Sequence, residues 1–194
     1  MYALLRDSVH KLLATLQESD EASNSNQKKH STIAWDKEDV VKSGESIVNN
    51  IKVIFLDVDG VLNSKQDGNS LQLRTDLHLQ LLREIVASTG AKIVLSSSWR
   101  AGFAKARNTL SNRLREYGLE IMDSTPVLPG LTCRGDEIRQ WLNDSGQSVE
   151  RFVILDDDDD MAEFTDTSLV QTDPDIGLQE KDAVKCIELL KVDL

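Results

Sequence analysis

Apolar and polar positions fall along this chain in blocks whose period changes several times. IKVIFL (51–56) is a continuous, β-branched apolar run that stops at Asp57, and AKIVLS (91–96), RFVIL (151–155) and Ser168–Thr172 repeat that form. Short apolar runs bounded by polar or glycine residues read as buried strands, and Leu119–Met122 is a shorter candidate of the same kind. Helical spacing takes over between them. Leu77, Leu81, Leu82, Ile85 and Val86 recur on one face over 74–89, with Thr75 at the N-cap position and Gly90 as the stop. A second helix is predicted over 103–117, closed by Gly118. A third follows Arg134 and Gly135, with Asp136 and Glu137 in its first turn, where the helix dipole favours acids, and Ile138, Trp141 and Leu142 on its apolar face. A fourth, over 178–190, turns Ala183, Val184, Ile187 and Leu190 inward. The segment 61–73, with Asp67 and Gly68 at a turn, reads either as a hairpin standing just after the first strand or as a plain surface loop. Strands alternating with helices predict an α/β fold, a parallel sheet covered on both faces.

The N-terminal quarter has a different texture. Leu4, Leu5, Val9, Leu12, Leu13 and Leu16 share one helical face, so residues 1–18 are expected to form an amphipathic helix that packs back or docks on a partner protein. Residues 19–50 turn to Ser, Asn, Gln, Lys and Glu without a period and read as a disordered linker, leaving 51–194 as the folded domain. The chain of 194 residues is 40% hydrophobic, enough for a real core, and carries a formal charge of −11. So acidic a balance argues against broad, sequence-blind nucleic-acid binding, although a local basic groove stays open. One run supplies a candidate: from Arg100 to Arg115, Lys105, Arg107 and Arg113 occur with no acid among them. Only Cys133 and Cys186 are present, without CxxC or Cys/His clustering, so neither a zinc site nor a disulfide framework is expected. No apolar run is long enough for a membrane span, and no secretory signal pattern opens the chain. A soluble protein of the cytoplasm or nucleus is the expectation.

The chemistry gathers where the apolar runs stop. In open parallel sheets, ligands bind beyond the carboxyl ends of the strands. Asp57 and Asp59 follow the first run; Ser96, Ser97 and Ser98 end the second; five consecutive acids, Asp156 to Asp160, end the RFVIL run. Two acids one residue apart lean over one crevice and repel each other unless a cation neutralises them or they share a proton. A Ca²⁺ loop built on Gly60 fails, because Phe55 and Gln66 would stand where an EF-hand needs Asp and Glu. Neither a GxxxxGK[ST] phosphate loop nor a GxGxxG fingerprint occurs. Several acids with a serine and an arginine suit Mg²⁺ handling a phosphate. Asp57 fits a carboxylate nucleophile, Asp59 an acid and then base, Ser96 a donor to a phosphoryl oxygen, and Arg134 a neutralising cation.

These residues resemble the haloacid dehalogenase (HAD) superfamily. Asp57-Val58-Asp59-Gly60 matches its first motif, the strand ending at Ser96 its second, Arg134 its third basic position and Asp156-Asp157 its acidic fourth. DVDGVLN, VLSSSWR, RGDEIRQWL, VILDDDDDM and LVQTDP together look like the HAD domain of Swiss Army Knife RNA-repair proteins. The resemblance implies a Rossmann-like three-layer αβα sandwich and an aspartyl-phosphate mechanism. It also implies Mg²⁺ held by Asp57, the main-chain carbonyl of Asp59, and Asp156 or Asp157; the run of five acids leaves the register of the fourth motif open, with Asp160 an additional candidate contact. Arg134 departs from the lysine usual in the third motif; it binds phosphate by two prongs but donates no proton. The intervals between motifs leave no room for a large cap domain, and an open site suits bulky phosphorylated substrates such as nucleic-acid ends. Ser97, Arg100 and Arg107 are the expected substrate contacts. A phosphoprotein or small-metabolite phosphatase, or a non-catalytic binding module, remains the alternative.

Overall fold

The structure, a computed structural model, describes residues 50–66, 76–102, 104–130 and 132–191. The expected N-terminal helix and the linker lie outside the described residues, as do Thr75 and the Asp67-Gly68 turn. β1 (Ile51–Leu56), β2 (Lys92–Leu95), β3 (Ile121–Ser124), β4 (Val149–Asp156) and β5 (Leu169–Gln171) form one sheet in the order β3-β2-β1-β4-β5. Every pairing is parallel. Between the strands run α1 (Asp76–Thr89), α2 (Ala104–Glu116), α3 (Arg134–Asp144) and, after β5, α4 (Glu180–Lys191). This is the expected Rossmann-like sandwich, and no cap domain interrupts it among the described residues.

The core follows from strand alternation. Val53 and Phe55 of β1 point to one face and pack there with Val94, Ile154 and the α3 residues Ile138 and Trp141. The Phe55 ring meets both Trp141 and Phe152 edge-on, at 5.4 and 5.6 Å between centroids, a preferred arrangement of the two ring quadrupoles. Asp57, next in the same alternation, emerges on the side where α3 begins. The chain order reverses direction at β1: β2 and β3 build outward on one side, β4 and β5 on the other. The crevice between the carboxyl ends of β1 and β4 is therefore the topological switch point, where ligands of such sheets bind. No helix among the described residues is long and apolar enough to cross a membrane.

Two local expectations are corrected. Residues 61–66 are turns, not the first arm of a hairpin; the N–H groups of Val61, Leu62 and Asn63 fold back on the Val58 carbonyl, and the segment is tied to a loop over a hundred residues away through Lys65 N–H to the Pro174 carbonyl (3.1 Å), Gln66 N–H to that of Asp175 (3.2 Å) and Leu178 N–H to that of Val61 (2.9 Å). The third strand sits at Ile121–Ser124, displaced from the expected Leu119–Met122.

Candidate active site

Asp57 leaves β1 with its N–H on the Leu155 carbonyl (2.9 Å) and is almost fully buried. Asp156 ends β4 beside it and is buried as deeply. Asp157 follows, half-buried, and one carboxylate oxygen from each of Asp57, Asp156 and Asp157 lies within 4.8 Å of the others. Gly60 makes room for this cluster. Its φ of +76° suits only glycine at low cost, and a Cβ there would stand 2.3 Å from Asp157 Cγ. Thr172 Oγ1 donates to the Gly60 carbonyl (2.9 Å), tying the first acidic loop to the end of β5.

The electrostatics are those of a site short of cations. Burial pushes the Asp57 carboxyl up to about 6; the Arg134 guanidinium and the Ser97 hydroxyl hold it from going further, while Asp59 adds to the rise. Burial, and then the charge of Asp57, push Asp156 up to about 8. Asp156 Oδ2 is buried with no hydrogen-bond partner, and Arg134 Nε approaches it only to 3.7 Å. Three converging carboxylates with an orphaned oxygen fit a hard divalent cation of the Mg²⁺ type. A metal-free chain should consequently lose stability as pH rises. Each raised carboxyl costs nothing below its unfolded value of 3.8, and its penalty is complete only above the folded value, about 6 and about 8. Melting in EDTA is expected to fall between pH 5 and pH 8, and saturating Mg²⁺ to flatten that slope; a slope indifferent to Mg²⁺ would remove these acids as its ligands.

Arg134 stands at the first position of α3 and reaches back over the crevice. Its guanidinium lies 3.7 Å from Asp57 Oδ1 and 3.6 Å from Glu137 Oε2, and it donates to the Ser96 carbonyl. What sets its place is the far end of the acidic run. Asp160 Oδ2 accepts from the Arg134 N–H (3.2 Å) and the Asp160 carbonyl from Gly135 N–H (3.2 Å), so this acid serves the helix N-terminus, where the dipole favours it, and not the carboxylate cluster. Gly135 allows the approach: a Cβ there would come within 2.4 Å of the Met161 backbone.

The serine and arginine expectations divide. Strand β2 ends at Leu95, and it is the Ser97 side chain that stands close enough to Asp57 to hold its carboxyl down. Ser96 turns its hydroxyl into the protein, where it is buried without a partner, and offers its carbonyl to two arginines. So placed, the Ser96 hydroxyl does not face the crevice expected of it. Arg100 is no substrate contact. Its Nε bonds the Thr125 carbonyl (3.1 Å), Nη1 those of Ser96 (2.9 Å) and Ser97 (2.6 Å), and Nη2 that of Pro126 (3.2 Å) and the Glu137 carboxylate. A guanidinium has five N–H groups, and all are spent inside the fold. Arg107 is exposed on α2 and lines a cavity of about 300 Å³ with Ser111, Met122 and Ser124. Arg113 is tied down by Asp76 (2.6 Å) and Glu116.

Sequence reasoning missed the partners of Asp59. Its Oδ1 accepts from Asn63 Nδ2 (2.8 Å) and its Oδ2 from Trp99 Nε1 (2.8 Å). The visible signal was a tryptophan directly after the serine cluster that ends the second strand, in a stretch where no apolar face calls for one.

A family model described as the HAD domain in Swiss Army Knife RNA repair proteins matches residues 53–183. No curated protein and no solved structure matches the chain.

Proposed function

The chain belongs to the family of HAD domains in Swiss Army Knife RNA repair proteins, and is thereby a HAD-type hydrolase domain with an acidic cluster suited to a metal; from that premise we propose a Mg²⁺-dependent phosphohydrolase that removes terminal phosphates from polynucleotides. The observation that carries this reading is the convergence of Asp57, Asp156 and Asp157 beneath Arg134, with the Ser97 hydroxyl on Asp57. Asp57, Asp156, Asp157 and the Asp59 carbonyl would hold the ion. When bound, Mg²⁺ supplies positive charge that lets a phosphate dianion approach these acids and stabilises its equatorial oxygens.

The remaining steps belong to the chain's own side chains. A carboxylate oxygen of Asp57 attacks phosphorus, the bond to the leaving oxygen breaks, and the proton of Asp59 passes to that oxygen. Water then attacks the aspartyl phosphate, returns a proton to Asp59 and frees Asp57. Ser97 and Arg134 steady the phosphoryl oxygens through both steps. Phosphate monoester hydrolysis needs accelerations up to roughly 10²¹-fold, so such prepositioned donors carry most of the work.

Two features support the bulky substrate. The described residues place no cap over the strand ends, and α2 exposes Lys105, Arg107 and Arg115, of which Arg107 lines a cavity with Met122 and Ser124 of β3. The deciding experiment compares Mg²⁺-dependent phosphate release from 3′- and 5′-phosphorylated oligonucleotides with release from an aryl phosphate. Preference for an oligonucleotide by tenfold or more in kcat/KM, about 1.4 kcal/mol, supports the proposal; parity assigns the enzyme to small phosphate esters. Arg107→Ala should weaken oligonucleotide binding and reduce the salt slope by about 0.7 for a single strand, as fluorescence anisotropy across a salt series would read.

A further inference from the structure

Asp59 is held more firmly than its exposure suggests. A carboxylate plane turns easily about its last torsion, which is broad and two-fold, and one hydrogen bond does not fix it. Here each oxygen takes its own donor, at 2.8 Å, from a different part of the fold: Asn63 from the turn after β1, Trp99 from the turn after β2. Both donors are buried, so water does not compete for Asp59 from their side.

The turn that carries Trp99 is itself anchored. Ser98–Arg100 is a single 3-10 turn; the Ser97 hydroxyl accepts the Trp99 N–H (3.3 Å), and Arg100 nails the turn to two neighbouring segments, the 125–126 loop and α3. The same five residues, Ser96 to Arg100, thus bring Ser97 to Asp57 and Trp99 to Asp59. The choice of tryptophan has a chemical reason. An indole N–H donates only and neither gains nor loses a proton in this range. A serine, tyrosine or histidine in its place could trade protons with Asp59; tryptophan leaves that proton to the leaving oxygen and the attacking water.

We infer that Trp99 is a positioning residue for proton transfer: its Nε1–H, with Asn63, holds the Asp59 carboxylate at the angle from which it serves the leaving oxygen and then the water. The inference rests on the acid and base role given to Asp59 under the proposed function. Misplacement of a reacting group by about 1 Å costs on the order of 10²-fold in rate, and an aligned hydrogen bond to a carboxylate is worth roughly tenfold to a hundredfold.

The test uses the full chain with Mg²⁺ and a series of aryl phosphates running from acidic to weakly acidic phenols. Acidic phenolates depart without help, whereas weakly acidic ones need the proton of Asp59. Trp99→Phe is expected to keep near wild-type kcat/KM on the most acidic phenol and to lose roughly tenfold to a hundredfold on phenyl phosphate, a steepening that parallels Asp59→Asn. An equal loss on every leaving group, or none, in a folded variant would overturn the inference while leaving the hydrolase reading intact. A wild-type chain that releases no phosphate from any ester overturns both. A second measurement avoids the Trp99 variant: the indole N–H resonance of Trp99, assigned by elimination from Trp35→Phe and Trp141→Phe, is expected to shift in Asp59→Asn while that of Trp141 stays. A Trp99 resonance that does not move overturns the inference.

Discussion

Replacing Asp57 by Asn is expected to abolish Mg²⁺-dependent phosphate release, by about 10³-fold or more, without loosening the fold. The amide keeps the shape of the side chain and its place beside Ser97, but it has no anionic oxygen with which to attack phosphorus. The structural side of the prediction runs opposite to the catalytic one. Burial drives the Asp57 carboxyl up to about 6, so at pH 8 without metal the folded chain holds a charge it would do better without. An amide removes that charge and also relieves Asp156, whose own rise owes its second-largest part to Asp57. In EDTA at pH 8 the variant should therefore melt no lower than the native chain. Phosphate release and a melting curve on the same preparation separate the outcomes. Retained activity would dismiss Asp57 as the nucleophile, and lost activity with a collapsed melting temperature would reduce its role to structure.

The acids were legible in the sequence because each stands where an apolar run stops, and an apolar run of β-branched residues is the strongest local signal a buried parallel strand gives. β1, β2 and β4 were found on that signal, and with them the acids at the ends of β1 and β4. β3 was misplaced for the converse reason. It is an edge strand carrying Asp123 and Ser124, with Met122 substantially exposed, so burial imposes little pattern on it. The reading of 61–66 as a hairpin arm failed because Val61, Lys65 and Gln66 pair with the 174–178 loop, and no local window contains both partners. The exchange of Ser96 for Ser97 turns on where β2 stops and the 3-10 turn begins, a boundary that three successive serines do not mark. The donors on Asp59 were invisible for a similar reason: one of them is forty positions away. Asp160 shows the reverse error. Its place in an acidic run suggested a metal ligand, and its neighbour in space is a helix N-terminus.

Arg100 gives the second large expectation, and here the effect falls on stability. Charge in the sequence reads as surface, yet this guanidinium is 5% exposed and the Glu137 carboxylate it meets 11%. Burial lowers the Arg100 pKa and Glu137 is the chief force restoring it, so each charge is tolerated through the other. Arg100→Met keeps the length of the chain and removes every N–H. Glu137 would then retain only the Leu128 N–H at 3.4 Å and Arg134 at 3.6 Å, and four carbonyls, those of Ser96, Ser97, Thr125 and Pro126, would lose a donor. Breaking a buried pair from one side costs about 3–5 kcal/mol, a large share of the roughly 5–15 kcal/mol that holds an ordinary domain together. Urea denaturation should show a drop of that size. The double variant Arg100→Met with Glu137→Leu distinguishes the cause, because removing both charges lifts the penalty of the unpaired acid while leaving the carbonyls short. Recovery of more than half the loss identifies the stranded carboxylate as the main cost. No recovery would assign it to the carbonyls, and with them to the turn that presents Ser97 and Trp99 to Asp57 and Asp59.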